Sequence, residues 1–445
     1  MFKSTRASYV GFRDIFGYEA RLREFIAAKI SEVFQLWGYD KIELSVIESM
    51  DSFNERVVGG SPWPEWDQKC SFRIDIRDYV DTYSSEPVFS QALLVPEGTI
   101  SISRWLANQI DTEQDLQAGF PLKVYYVVSC FRNEPIANLS ATKTRSFTQV
   151  GVEIIGTLSH YANLESIMLV ASGLEAVGVP QNHIKIRLSD IRVFNHLCKK
   201  CKIPYRETII LKEIFDTIAE SRAGNDTKRL VNGLAKANEV LSAHVTDAKT
   251  RSQWDFCLAG TRQSISDQET MFLECSEALG DLNSIANELN ELGIPAVIDL
   301  AVVRSHEYYT GIVFEIDVAV DNQIIVEIAG GGRYNKLISK FSKKNIEVPA
   351  VGFAFGLERI CHLVESLQKS TKLEIRFWLD EFPVDVILYG RGSVHQLVKL
   401  AQQLRKNHKR VDIYAGDKST SQEIGIYAAK KNAQLIHVRN VRNRK

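Results

Sequence analysis

The chain has 445 residues, 45% of them apolar and 24% charged, with a formal net charge of −1. That length allows two or three domains and a large core, in a composition ordinary for a globular protein. No apolar run approaches the roughly 18–20 residues of a bilayer span, so no membrane-spanning segment is expected. Met1–Arg6 has no apolar stretch behind it, so no secretory leader is expected either. Seven scattered cysteines, an odd number, read as reduced thiols of a cytoplasmic protein. The small net charge hides an asymmetry. Residues 383–445 hold 13 Lys and Arg against 4 Asp and Glu, and the rest of the chain holds 41 against 51. A basic module on an acidic body suits an RNA-facing appendage, although a solvated basic surface has the same composition.

In chain order, Leu22, Phe25, Ile26, Ile30, Val33, Phe34 and Trp37 recur at helical spacing and predict an amphipathic helix over 18–37. Gly38 ends it, and a strand follows over 41–48. Residues 123–131 and 146–156 are strongly β-prone. The polar stretch Asn133–Arg145 between them predicts an antiparallel pair with a long connection. Residues 159–177 read as helix, and 185–295 as a polar, strongly helical insertion. Strands resume at 296–300, 312–317 and 323–329, and a helix runs from Gly356 to about Leu367. Residues 368–382 read as a linker. Beyond it, strands at 384–388, 411–414 and 434–438 alternate with helices at 393–407 and 420–432, the pattern of a small α/β domain with parallel strands. Cys198-Lys199-Lys200-Cys201 is the one close cysteine pair. It lacks the second pair or well-spaced histidines of a zinc site and reads as two ordinary thiols near a helix end, so no metal site is expected.

On the strand 146–156, Phe147, Gln149 and Glu153 lie an even number of residues apart, as does Arg145 just before it, so they share a face. Arg, Phe, Gln and Glu make a poor core face and a good ligand face. Four stretches then form an ordered set: Phe131-Arg132-Asn133-Glu134, Arg304-Ser305-His306-Glu307-Tyr308-Tyr309-Thr310-Gly311, Ala329-Gly330-Gly331-Gly332-Arg333-Tyr334, and Gly352-Phe353-Ala354-Phe355-Gly356-Leu357-Glu358-Arg359. The set resembles the catalytic domain of histidyl-tRNA synthetases, the class II enzymes that activate histidine with ATP. The resemblance covers roughly residues 9–365 and, more faintly, the tail from 383.

The resemblance implies an α/β chain: a class II antiparallel sheet flanked by helices in two parts (1–184 and 296–367), the helical insertion at 185–295, the linker at 368–382, and a shortened anticodon-binding-like domain at 383–445. It implies histidine, ATP and tRNA as ligands, Mg²⁺ as cofactor, and a homodimer formed through the segment 18–48. By resemblance Arg132 grips the α-phosphate and Glu134 reads the adenine amino group. Arg145 reaches the terminal phosphates, Phe147 stacks on adenine and Arg359 clamps the γ-phosphate. Arg304 faces the α-phosphate and the attacking carboxylate. Glu97 and Thr99, on a segment resembling the family's substrate-entry strand, take the histidine ammonium together with Gln149. Glu153 accepts a proton from the imidazole, and Tyr308 and Tyr309 close the other side. Arginine suits the phosphate work because its planar fork is permanently charged and bidentate. The opening segment Gly11–Ile15 also fits.

The chain departs from the pattern in places. Ser45 stands where the family has proline and Val95 where it has arginine. The loop 135–145 is long and offers only Lys143 and Arg145, and the C-terminal domain stops after three strands. Two other readings therefore stand beside the synthetase. One is a histidine ligase that passes its adenylate to a small molecule or carrier. The other is a non-catalytic, histidine-sensing regulatory subunit of ATP phosphoribosyltransferase. Relatives of the second kind tend to lose the ATP-binding arginines and the C-terminal domain, whereas Arg132, Arg304 and Arg359 are all present here.

Overall fold

The computed structural model describes residues 8–54, 57, 71–78, 88–112, 119–136, 139–140, 143–265, 271–304, 306–320, 323–369, 384–390, 394–414, 421–430 and 433–438. The chain divides into two compact units, Met1–Ser370 and Thr371–Lys445.

The first unit is built on an eight-stranded sheet. In chain order its strands are β1 (Asp40–Lys41), β5 (Leu122–Phe131), β6 (Ser146–Ile155), β7 (Ile184–Asp190), β8 (Ala296–Ile298), β9 (Ile312–Val320), β10 (Gln323–Arg333) and β11 (Ala350–Gly356). Their spatial order is β1-β5-β6-β11-β10-β9-β7-β8. The six strands from β5 to β7 pair antiparallel, and the two short edge strands pair parallel. A separate three-stranded sheet joins β2 (Ile47–Ser49), β3 (Arg73–Asp78) and β4 (Val88–Leu94) in the order β2-β4-β3.

Helix α1 (Tyr18–Leu36) buries Leu22, Phe25, Ile26, Ile30 and Phe34, the apolar stripe its spacing predicts. It ends at Gly38, whose φ of 82° is open to glycine at little cost, and the Tyr39 amide closes back onto the Phe34 carbonyl at 3.0 Å. Helix α2 (Gly98–Thr112) lies at the site, and α3 (His160–Ala176) is capped by Ser159, whose hydroxyl accepts from the Tyr161 amide. Between β7 and β8 run α4 (Ile191–Lys200), α5 (Tyr205–Ala223), α6 (Thr227–His244), α7 (Ala248–Leu258) and α8 (Ser276–Glu291). Helix α9 (Leu357–Lys369) follows β11 directly.

Three expectations are corrected. Residues 41–48 are not one strand. The chain leaves β1, turns at Ser45, whose hydroxyl bonds both the amide and the carbonyl of Ile47 (3.2 and 2.8 Å), and enters the small sheet as β2. The stretch from 185 does not open as helix, because Ile184–Asp190 is β7 of the main sheet and the helices begin at Ile191. Pro96–Thr99 is not a strand: from Gly98 on it is the first turn of α2. The β5–β6 pair appears as predicted, in register from Leu122 opposite Ile155 to Phe131 opposite Ser146.

In the second unit β12 (Val386–Tyr389) lies between β13 (Val411–Ile413) and β14 (Gln434–His437), all parallel, with helices α10 (Val394–Lys406) and α11 (Ser421–Lys430). Val386, Leu388 and Ala401 form its core, with Leu397, Leu400 and Leu404 packed against them. Most of the expected linker, from residue 370 to 382, lies outside the described residues, as do 439–445. Among the described residues no helix is long and apolar enough to cross a membrane.

Candidate active site

A cleft opens over the middle of the large sheet. Of the twelve residues predicted for the site, ten line it: Glu97, Thr99, Arg132, Glu134, Phe147, Gln149, Arg304, Tyr308, Tyr309 and Arg359. They come from elements far apart in sequence: the start of α2, the end of β5, β6, the segment after β8, and the β11–α9 junction.

One end of the cleft is built from carboxyl, amide and hydroxyl groups. Glu97 accepts from the Ile100 amide (3.2 Å) and from the Tyr308 hydroxyl (3.0 Å). The Gln149 carbonyl oxygen accepts from the Gly98 amide at 2.8 Å. Beneath them Glu153, only 1% exposed, accepts from the hydroxyls of Thr99 (2.9 Å) and Tyr334 (2.6 Å). Burial pushes its carboxyl up to about 8, against the pull of those hydroxyls. Glu153 forms the floor of this end rather than its wall. Gly352 lies directly opposite it in the β11–β6 ladder, and a Cβ there would stand 1.8 Å from Glu153 Oε2. Hence that ladder position accepts only glycine.

The other end carries the arginines, and each is engaged. Arg132 donates to the Pro96 carbonyl (3.1 Å), and its guanidinium lies 4.8 Å above the Phe147 ring, a cation–π contact on the face expected to hold adenine. Arg304, with φ of 42°, donates to Glu315 Oε1 at 3.2 Å. The other oxygen of Glu315 takes Arg187 at 2.9 Å, and Arg187 also holds Asp317 at 2.6 Å. A buried chain of charges thus runs from β7 to the cleft. Burial raises the Glu315 carboxyl well above the ordinary carboxylate range despite both arginines. Arg359 bonds the Glu327 carboxylate at 3.2 Å and also its carbonyl oxygen.

Arg145 departs from its prediction. It does not line the cleft. Its guanidinium donates to the carbonyls of Glu134 (3.0 Å) and Val10 (3.3 Å) and lies over the Tyr9 ring, while its amide donates to the Gly11 carbonyl at 2.9 Å. It ties the opening segment to the loop. The reason is local: Arg145 precedes the first residue of β6, so strand alternation does not fix its direction. Val95, where the family has arginine, is fully buried.

The cleft also holds residues that the sequence reading did not single out. Glu315 and Glu327 come from β9 and β10, Asp216 and Glu220 from α5, and Glu358 from the first turn of α9. Glu358 accepts the Thr148 amide (3.0 Å) and pairs with Arg23 (2.7 Å), which anchors β6 beside Phe147 and Gln149. His306 stands within a stretch that was read, yet was given no role; burial and then Arg304 and Arg132 hold its imidazole well below its usual range, so it is neutral. The i, i+4 spacing of Asp216 and Glu220 puts both on one face of α5, but nothing local says that this face meets the sheet. Among the described residues no three His, Cys, Asp or Glu side chains are grouped to hold a metal ion. Cys198 is buried and its thiol pushed up to about 12 by that burial, and Cys201 accepts from the Trp254 indole at 3.4 Å.

Gly330 sets the position of Arg304. A Cβ there would lie 1.9 Å from Arg304 Nη1. The obstacle is the tip of a flexible side chain, so Gly330→Ala should fold normally and push the guanidinium aside. A displacement of about 1 Å at such a group costs on the order of 100-fold in rate. The expected result is a nearly unchanged melting temperature, with any reaction that uses the Arg304 guanidinium slowed by about that factor.

A family model described as histidyl-tRNA synthetase matches residues 11–360. The chain is 24% identical to a histidine–tRNA ligase of Methanococcus vannielii over 453 aligned positions, covering 97% of this chain and 98% of that one. It is 26% identical to an ATP phosphoribosyltransferase regulatory subunit of a Picosynechococcus species, covering 96% and 95%. Among solved structures, one described as an ATP phosphoribosyltransferase regulatory subunit/histidyl-tRNA synthetase from Bacillus halodurans superposes with a TM-score of 0.71 at 20% identity, covering 99% of this chain and all of that one. The histidyl-tRNA synthetase of a Nostoc species gives 0.69 at 20% identity, covering 98% and 92%. At that identity these superpositions speak for the fold alone. With more than three quarters of its length matched by the family model, the chain belongs to the histidyl-tRNA synthetase family.

Proposed function

We propose that the chain activates histidine with ATP, forming histidyl-adenylate and pyrophosphate, and transfers the histidyl group to tRNA(His). One observation carries the reading: Arg132, Arg304 and Arg359 open onto the same cleft as Glu97, Thr99 and Gln149, with Glu153 as its floor. Histidine would sit at the carboxyl end, its ammonium on Glu97, Thr99 and Gln149 and an imidazole N–H on Glu153. Its carboxylate oxygen would then attack the α-phosphorus beside Arg132 and Arg304, with pyrophosphate leaving toward Arg359. Catalysis of this kind is positioning plus stabilisation of charge as it develops. Glu134, within 3.4 Å of the one lysine of the loop, Lys143, would read the adenine amino group. Mg²⁺ would arrive with the nucleotide and offset its phosphate charge, since among the described residues no three His, Cys, Asp or Glu side chains are grouped to hold it. A homodimer through the segment 18–48 is part of the reading, and the half-exposed Val46 and Ile47 on that segment support it. So is tRNA contact through the basic domain 383–445, and so is a cytoplasmic location.

A second reading has its own support. Arg304 and Arg359 already hold carboxylates, Glu315 and Glu327, and one relative of similar identity is described as a regulatory subunit. In that reading the chain senses histidine without catalysis. ATP–pyrophosphate exchange measured with each of the twenty amino acids, together with aminoacylation of tRNA(His), separates the readings. The expected result is strong exchange with histidine alone, and slower, salt-sensitive aminoacylation, since phosphate contacts weaken as salt rises. Histidine binding without exchange would select the regulatory reading. Exchange without aminoacylation would select a ligase that passes the adenylate to a small molecule or carrier. Better exchange with another amino acid would refute the specificity.

A further inference from the structure

We infer that Glu327 is a specificity-determining residue of the phosphate end of the cleft: its carboxylate occupies Arg359, and a polyphosphate binds there only by displacing it. The inference rests on the ATP half of the proposed function.

Three features of the structure meet at this residue. The first is the contact itself. Arg359 Nη1 bonds Glu327 through both the carboxylate, at 3.2 Å, and the main-chain carbonyl. The guanidinium that would clamp a terminal phosphate is therefore already holding an anion supplied by the protein. The second is the backbone. Glu327 has φ of 50°, in the left-handed region that side chains other than glycine rarely adopt. It lies in an irregularity of the β9–β10 ladder, where the register shifts between Ile325 and Ala329. The surroundings hold it there: its amide donates to Asp317 Oδ1 at 3.0 Å, and Asp317 is in turn fixed by Arg187. A strained residue held by its neighbours at the wall of a binding cleft is a common mark of function. The third is accessibility. Arg359 and Glu327 remain 32% and 24% exposed, so the pair can part without opening the core.

The charge around the pair makes displacement selective. Glu220 and Asp216 line the same end of the cleft. Burial works to raise the Glu327 carboxyl, but Arg359 and Arg304 outweigh it and hold it below the ordinary carboxylate range. The carboxylate therefore stays charged through neutral and mildly acidic pH. A ligand with one weak negative charge gains little from Arg359 in exchange for freeing Glu327. A polyphosphate, with several oxygens for a bidentate fork, gains more. A fraction of Arg359 held closed lowers apparent phosphate affinity by that fraction.

The test uses the full chain with two variants. Glu327→Gln removes the charge and keeps the shape. Glu327→Gly removes the side chain and suits the positive φ. Calorimetry is run with inorganic tripolyphosphate, which reports the arginine subsite without adenine, with Mg–ATP, and with histidine. Both variants are expected to bind tripolyphosphate and ATP about two- to fivefold more tightly, the scale of a partly exposed ion pair, with histidine affinity unchanged. Glu327→Gly should also melt no lower than the unsubstituted chain. Equal or weaker polyphosphate binding in a folded variant overturns the inference and leaves the synthetase reading standing if the unsubstituted chain supports exchange. Failure of every form to bind polyphosphate while histidine binds overturns both the inference and the ATP half of the reading. Tighter polyphosphate binding in the variants with no histidine binding in any form sustains the inference and sinks the assignment of histidine.

Discussion

Replacing Arg304 by alanine should lower histidine-dependent ATP–pyrophosphate exchange by about 10²–10³, the cost of losing one preorganised donor where charge develops. The structure adds what happens to the fold. Removing one partner of a buried pair ordinarily costs about 3–5 kcal/mol, because the other charge is stranded. Here Glu315 keeps Arg187 at 2.9 Å on its other oxygen, and burial already raises its carboxyl well above the usual range. It can answer the loss of Arg304 by holding a proton, so the melting temperature should fall by only a few degrees. Arg304→Lys should not restore the rate, since an ammonium lacks the fork and its fixed geometry. Exchange kinetics unchanged in a folded Arg304→Ala chain would remove Arg304 from the chemistry.

The same residues show where the sequence could be read and where it could not. Helix α1 and strands β5 and β6 follow from apolar spacing within a residue or two, because each sets its buried face by local period. The co-facial Phe147, Gln149 and Glu153 were legible for the same reason: β alternation carries them to the side where α2 begins. Strand β7 was missed because Ile184-Lys185-Ile186-Arg187-Leu188 runs straight into a long helical stretch and was read as the opening of that polar insertion. Yet Arg187 is 1% exposed and lies in the core with Glu315 and Asp317. A charge buried against charges from other strands leaves no local trace. Glu327 was illegible for a related reason. On an ideal strand its direction would follow from alternation, but the register shift before Ala329 turns it toward Arg359, and that bulge exists only in the ladder with β9. Asp216 and Glu220 required knowing that α5 packs against β10 rather than facing water. Local periodicity thus exposes the β6 face of the cleft, the family resemblance points to its arginines and tyrosines, and the carboxylates that balance those arginines are set by tertiary structure.

That distinction matters most at Glu153, whose chemistry depends on burial. Its carboxyl is pushed up to about 8 from an ordinary 4.5, so below pH 7 the unliganded protein holds it mostly protonated. The unfolded chain releases that proton near pH 4.5, so between the two values the folded state binds more protons and stability falls as pH rises. The contribution is fully present below pH 4.5 and lost through pH 8, a change on the order of 4–5 kcal/mol. Glu153→Gln mimics the neutral acid and does not titrate. Relative to the unsubstituted chain it should therefore gain stability by about that amount between pH 4.5 and pH 8, measured by denaturant unfolding across the range. Binding should move the other way. An imidazole N–H donating to Glu153 stabilises the carboxylate, so histidine uptake near pH 7 should release a proton, measurable by calorimetry in buffers of different ionisation enthalpy. The amide offers no charged acceptor, and histidine affinity should drop about 10- to 100-fold. Parallel stability profiles for the two proteins would mean that Glu153 is already ionised in the fold. Undiminished histidine affinity in the variant would mean that the imidazole is recognised elsewhere. Proton release together with a stability difference that grows from pH 4.5 to pH 8 would tie both the pH dependence and the specificity to this one buried carboxyl.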